Sequence, residues 1–150
     1  MTVSSASVPH FFRAQRRVEF ADTDAAGIMH FSAFFRYMEQ AEHELLRSLG
    51  LSVVMHDAQG KYSWPRVSAN CDYRSAAKFE DLLNIDVNIA RLGEKSVSYA
   101  FRFTNGAGQD LATGQITAVC CRMSPDGKPY SIPIPAPVAD KLRPLVAPMK

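Results

Sequence analysis

The chain has 150 residues, 47% of them hydrophobic, and 17 Lys and Arg against 15 Asp and Glu leave a formal charge of +2. That length suits one globular domain with a real core and leaves no room for a second, while near-balanced charge without a dense Lys/Arg run argues against nucleic-acid or polybasic membrane binding. No apolar run approaches the ~18 residues of a membrane span, and Met1 to His10 lacks the basic start and apolar stretch of a secretory signal, so the expectation is one cytoplasmic domain over residues 1–150 with a flexible start at 1–10.

Phe11 to Ala21 reads as a first strand and Asp22 to Met29 as the loop that leaves it. Ser32 is placed to N-cap a helix. Beyond it Phe34, Phe35, Met38, Ala41, Leu45, Leu46 and Leu49 recur at helical steps, whereas Arg36, Glu39, Gln40, Glu42, His43 and Arg47 fill the other face. Gly50 ends this amphipathic helix in the C′ role. Leu51 to Gln59 predicts a short helical turn, followed by strands over Trp64 to Tyr73, Leu83 to Arg91, Ser96 to Thr104 and Leu111 to Met123.

Leu92-Gly93-Glu94, Asn105-Gly106-Ala107-Gly108 and Pro125-Asp126-Gly127 supply turns, so most neighbouring strands should be antiparallel. Pro129 to Pro137 is too proline-rich for regular structure, and Val138 to Val146 suits a short helix or tail. One strand, one long helix and four strands is an α+β order. With a single helix to cover the apolar face, the sheet must wrap around that helix.

Two carboxylates, a glycine and a helix start fall between Phe20 and Ser32. They place a potential nucleophile or base beside backbone N–H groups able to hold an oxyanion, which is what acyl transfer needs. The Asp22-x-Asp24-x-x-Gly27 string also invites a calcium-loop reading. That fails, because the positions needing an oxygen ligand and a bidentate Glu hold Ala26 and Ala33. Asp22, Asp24 and His30 have no further support as a transition-metal set, so no metal is expected. Cys71, Cys120 and Cys121 are odd in number and lack paired spacing, which favours buried reduced thiols. Ser32 and Ser96 lie outside any Gly-x-Ser-x-Gly elbow.

An acidic loop with Asp22, Asp24 and Gly27 runs into an aromatic-rich helix. It is followed in order by Cys71-Asp72-Tyr73-Arg74-Ser75-Ala76, Asp81-Leu82-Leu83, Gly93, Ser96, Gly108, Ala112-Thr113-Gly114, Lys128-Pro129 and Ile132-Pro133. This series resembles the 4-hydroxybenzoyl-CoA thioesterase family of hotdog-fold proteins over roughly residues 11 to 135. The resemblance implies an antiparallel sheet wrapped around one long central helix, and hydrolysis of an acyl-CoA to a free acid and CoA. Asp24 would be the nucleophile or general base and the backbone N–H near Phe31 the oxyanion donor, with Gly27 beside the substrate. Coenzyme A enters only as part of the substrate, and no cofactor is expected.

A lone hotdog sheet leaves an open edge, so the resemblance also implies a homodimer or homotetramer with the site between subunits. Tyr62, Trp64 and Pro65 are candidates for the acyl pocket, and Arg74, Arg91 and Lys95 for the CoA phosphates. His30 lies six residues after Asp24, where one bacterial branch of the family places a histidine at seven, so packing between apolar neighbours stands beside a site role for it. Asp22 reads as a turn-shaping acid and Glu39 as the runner-up to Asp24. A non-catalytic acyl-CoA-binding hotdog protein and a hotdog hydratase are the competing classes; the hydratase's Asp-x-Asn-Pro-x-His-like run is missing here.

Overall fold

A computed structural model describes residues 10–147, so all but the last residue of the expected flexible start lies outside the described residues. Strand β1 (Phe12–Arg17) leads through the acidic loop to helix α1 (Ala33–Ser48), and then come β2 (Val54–Asp57), β3 (Gly60–Ser63) and β4 (Arg66–Tyr73). Three long strands follow, β5 (Leu82–Leu92), β6 (Ser96–Thr104) and β7 (Asp110–Val119), before β8 (Cys121–Met123), β9 (Pro129–Ser131) and helix α2 (Ala136–Leu142). The main sheet has the order β1-β5-β6-β7-β4 and is antiparallel throughout. No described helix is long and apolar enough to cross a membrane.

Alternation along the strands explains how the sheet closes on α1. In β5, Leu83, Ile85, Val87 and Ile89 are fully buried, whereas Asn84, Asp86 and Asn88 between them stay partly exposed. Opposite them stand Phe34, Met38, Ala41 and Leu45 of α1, all buried, and each large side chain so buried contributes about 1.5–3 kcal/mol. The helix ends as its sequence predicts. The Leu51 N–H donates to the Leu46 carbonyl at 2.7 Å and the Gly50 N–H to that of Arg47 at 3.0 Å, with Gly50 at φ +73°.

Several expectations need correcting. Leu51 to Gln59 forms no helical turn: Val54–Asp57 pairs with Gly60–Ser63 as a two-residue hairpin, whose turn is set by the Asp57 side chain accepting the Gln59 N–H at 2.9 Å. The expected strand from Leu111 to Met123 is two strands in different sheets. At Cys120 the chain donates its N–H to the Lys95 carbonyl at 2.8 Å and crosses into a small sheet of order β2-β3-β8-β9. Within the proline-rich tract, Pro129–Ser131 pairs with β8, which is possible because Pro129 opens a strand at the sheet's edge. The first strand stops at Arg17, and a 3-10 turn over Phe20–Asp22 replaces its expected end. Glu42, placed by pattern on the polar face, is only 1% exposed, and the Arg66 guanidinium grips both of its oxygens. Burial pushes the Glu42 carboxyl up, with Arg66 opposing it.

Gly114 marks where sheet and helix come closest. A Cβ built on it would lie 2.5 Å from Met38 Sδ and 2.9 Å from the Asn70 carbonyl oxygen, so the buried Met38 side chain and the paired β4 backbone would both have to shift. Gly114→Ala should therefore destabilise the protein by about 1–3 kcal/mol, read as a lowered urea midpoint. An unchanged midpoint would show that the contact is slack.

Candidate active site

The acidic loop is a small hairpin between β1 and α1. The Asp24 N–H donates to the Ile28 carbonyl at 2.9 Å, the His30 N–H to that of Asp22 at 2.7 Å, and the Gly27 N–H to that of Asp24 at 2.9 Å, which closes the tip. The hairpin is tied to the segment before β5, where the Met29 N–H donates to the Ala77 carbonyl at 2.8 Å.

Its two acids have opposite surroundings. Asp22 accepts hydrogen bonds from the Tyr37 hydroxyl at 2.6 Å, from Arg36 at 2.9 Å and from the Glu19 N–H at 3.3 Å. Burial pushes its carboxyl up, yet these three donors and the Arg36 charge together hold it below the ordinary carboxylate range. Asp24 is half-buried, and Oδ1 accepts the Ala26 N–H at 2.9 Å. No cation pairs with Asp24 among the described residues.

Asp24 opens onto a hollow of about 330 Å³ whose walls include Ile28, Met29, Phe31, Phe34, Tyr73 and Arg74. Phe34 and Tyr73 meet edge to face at 5.2 Å, and the Tyr73 hydroxyl donates to the Phe31 carbonyl at 2.8 Å. Among the described residues the Phe31 N–H donates to no backbone or side-chain acceptor. The hollow thus joins an uncommitted carboxylate, a residue with an uncommitted backbone donor and an aromatic wall.

Ser32 occupies the N-cap position without capping, because its backbone is already helical at φ −71° and ψ −23°. His30 does that work instead. Its carbonyl accepts the Ala33 N–H at 2.9 Å and its ring Nδ1 accepts the Ser32 N–H at 3.2 Å, with Ser32 Oγ 2.8 Å away. The ring also packs on Phe31, centroids 4.4 Å apart. His30 therefore stands between the two sequence readings, holding the helix start that carries Phe31.

The remaining candidates scatter within one subunit. Tyr62 is buried under the Arg122 guanidinium and borders a separate hollow of about 390 Å³ with Pro65, while Trp64 packs into the core. Arg91 and Lys95 lie at the far end of β5, roughly 30 Å along the strand from the loop at 3.3 Å per residue. Glu39 is exposed on α1 and lines no part of the Asp24 hollow. Sequence reasoning missed Phe34 and Tyr73 as walls and Tyr37 as a partner of Asp22. Tyr73 stood in the quoted motif, but nothing in the pattern marks Tyr37, whose partner lies 15 positions away.

Comparison with known proteins converges on one group. The family described as the thioesterase-like superfamily matches residues 18–142. The chain is 27% identical over 129 residues to the acyl-CoA thioester hydrolase YbgC of Escherichia coli, covering 81% of this chain and 92% of that one. It is 27% identical over 123 residues to a 1,4-dihydroxy-2-naphthoyl-CoA hydrolase of Thermosynechococcus vestitus, covering 82% and 84%. A solved 1,4-dihydroxy-2-naphthoyl-CoA thioesterase from Synechocystis is similar with a TM-score of 0.78 at 27% identity, over 89% of this chain and 96% of that chain.

The partnered acid has a measurable signature. A carboxyl held low in the folded state adds stability that is complete above its unfolded value of about 3.9 and is lost as pH falls through the lower folded value. Asp22→Asn should therefore lose less stability than the wild type between about pH 5 and pH 2, in urea titrations. Asp57, Asp110 and Asp126, also held low, are common to both proteins and cancel. Parallel losses would show that Asp22 is not held as the geometry requires.

Proposed function

The chain belongs to the thioesterase-like superfamily and is a thioester hydrolase of the hotdog fold, and from that premise we propose that it hydrolyses an acyl-CoA with Asp24 as the reacting carboxylate. The observation that carries this reading is that, among the described residues, the Asp24 carboxylate pairs with no cation and shares one hollow with Phe31, whose N–H donates to no acceptor. The carboxylate either attacks the thioester carbonyl carbon or takes a proton from the water that does. Both routes pass through a tetrahedral oxyanion, which the Phe31 N–H and the positive end of the α1 dipole would hold. On the first route the carbon–sulfur bond breaks to leave a mixed anhydride on Asp24, which water then hydrolyses to restore the carboxylate; on the second, water adds directly. In both, one water is consumed, its proton leaves with CoA as the thiol, and the acyl group ends as the free acid.

The acyl end would rest against Phe31, Phe34 and Tyr73, a wall suited to a flat ring. The naphthoyl-CoA hydrolase and thioesterase to which the chain is similar support an aromatic acyl group. Strand β4 lies at one edge of the main sheet, with Val67 to Asn70 exposed, and pairing with a second copy there would complete a homodimer or homotetramer. Arg91, Lys95, Tyr62 and Trp64 would then reach a substrate only across a subunit boundary.

Asp24→Asn should keep the fold and lower CoA release from benzoyl-CoA by at least ~100-fold, since the shape stays and the nucleophile or base is lost. Equal turnover for variant and wild type would sink the assignment. Sedimentation of the active protein should give a dimer or tetramer. A monomer with undiminished turnover would exclude a site shared between subunits.

A further inference from the structure

Two residues bind the acidic loop to the rest of the molecule more tightly than its own turn requires. The tip is exposed over Ala25, Ala26 and Gly27, and in the loop from Asp22 to His30 only Met29 is a buried apolar anchor. Polar contacts must therefore do much of the holding. Beside the Met29 N–H bond to the Ala77 carbonyl, the side-chain contacts converge on Asp22, whose carboxylate reaches forward to α1 through Tyr37 and Arg36, and whose carbonyl accepts the His30 N–H from the loop's returning arm. It is the point where side chain and main chain are pinned to different elements.

Tyr37 is the stronger of the two helix partners. The residue is 3% exposed, and its hydroxyl lies 2.6 Å from the Asp22 carboxylate and 3.2 Å from the carbonyl of Arg17 at the end of β1, so Asp22 is the nearer acceptor. A buried hydroxyl facing a carboxylate gives a short, charge-assisted hydrogen bond that costs much to leave unmade. The Arg36 side chain is 53% exposed, so water screens its share.

We propose that Asp22 and Tyr37 form a clamp that locks the Asp24 loop onto helix α1, making both positioning residues for the Asp24 carboxylate and the Phe31 N–H. The consequence for catalysis rests on the thioesterase reading given above; the clamp itself does not. Asp24 lies two residues from one jaw of the clamp, and Phe31 follows directly on the His30 N–H that the same residue holds. Release of the clamp lets these two groups drift apart without emptying the substrate hollow. The loss should then fall on kcat rather than KM.

The test compares wild type with Tyr37→Phe, Asp22→Asn and the double variant, using benzoyl-CoA and thiol release. Tyr37→Phe removes one oxygen and keeps the ring in the core. Each single change should lower kcat by ~10-fold or more while KM stays within about threefold, as a misplaced reacting group predicts. The double variant should fall no more than about twofold below the worse single one, because both remove the same contact. Full kcat in either single variant, a loss confined to KM, or losses that multiply would overturn the clamp.

Amide hydrogen exchange supplies a readout without substrate. The His30 N–H should exchange at least ~10-fold faster in Tyr37→Phe, while the Val87 N–H in the sheet stays unchanged. An unchanged His30 rate would overturn the proposal. If the wild type does not cleave benzoyl-CoA, the substrate reading fails by itself and exchange at His30 still decides for or against the clamp.

Discussion

Everything in this molecule answers to one constraint: a single long helix must be buried by a single sheet. A helix covered along one stripe needs only three or four apolar residues per two turns, but one wrapped by a curved sheet buries a wider arc. That is why Tyr37 and Glu42 join Phe34, Met38, Ala41 and Leu45 among the buried residues of α1. Close approach also demands Gly114 opposite Met38, since any Cβ there would meet the sulfur. Glu42 is the cost of the wide arc, a carboxylate in the core that is tolerable only because Arg66 satisfies both of its oxygens.

What was legible in the sequence follows the same logic. The main sheet and the helix could be read because each has one buried and one wet face, so Leu83, Ile85, Val87 and Ile89 alternate with polar neighbours and turn residues mark the ends. The small sheet could not be read. Its strands are three or four residues long and owe their existence to pairing between segments far apart, such as Ser63 with Cys121, which leaves no period in the sequence. Glu42 misled the helical wheel for a related reason, because a polar atom satisfied inside the fold looks from sequence like one turned to water.

The loop was legible as a candidate site, and what holds it was not. The spacing of Asp22, Asp24 and Gly27 ahead of an aromatic helix singled out a dozen residues that fold into a hairpin beside the hollow. What distinguishes the two acids is their neighbours, and those come from α1 and β4. The expected capping role of Ser32 passed to His30, because the backbone is already helical at Ser32 and His30, two residues earlier, accepts the Ser32 and Ala33 N–H groups. Short motifs name residues; the three-dimensional partners assign them.

On the proposed reading, the division between Asp22 and Asp24 is how the fold would produce a reactive group without an unusual residue. A carboxylate that meets a cation and a buried hydroxyl has its lone pairs committed, and its negative charge serves to hold the structure together. Arg36 and Tyr37 both fall to Asp22, so the loop's positional demand is met two residues before the tip. Among the described residues Asp24 keeps one backbone hydrogen bond, and it borders a mostly apolar hollow, so its remaining lone pairs face whatever enters. Had Arg36 instead reached Asp24, the same carboxylate would have been better anchored and less able to attack. Holding and reacting are incompatible tasks for one acid, and the proposed mechanism assigns the first to Asp22 and the second to Asp24.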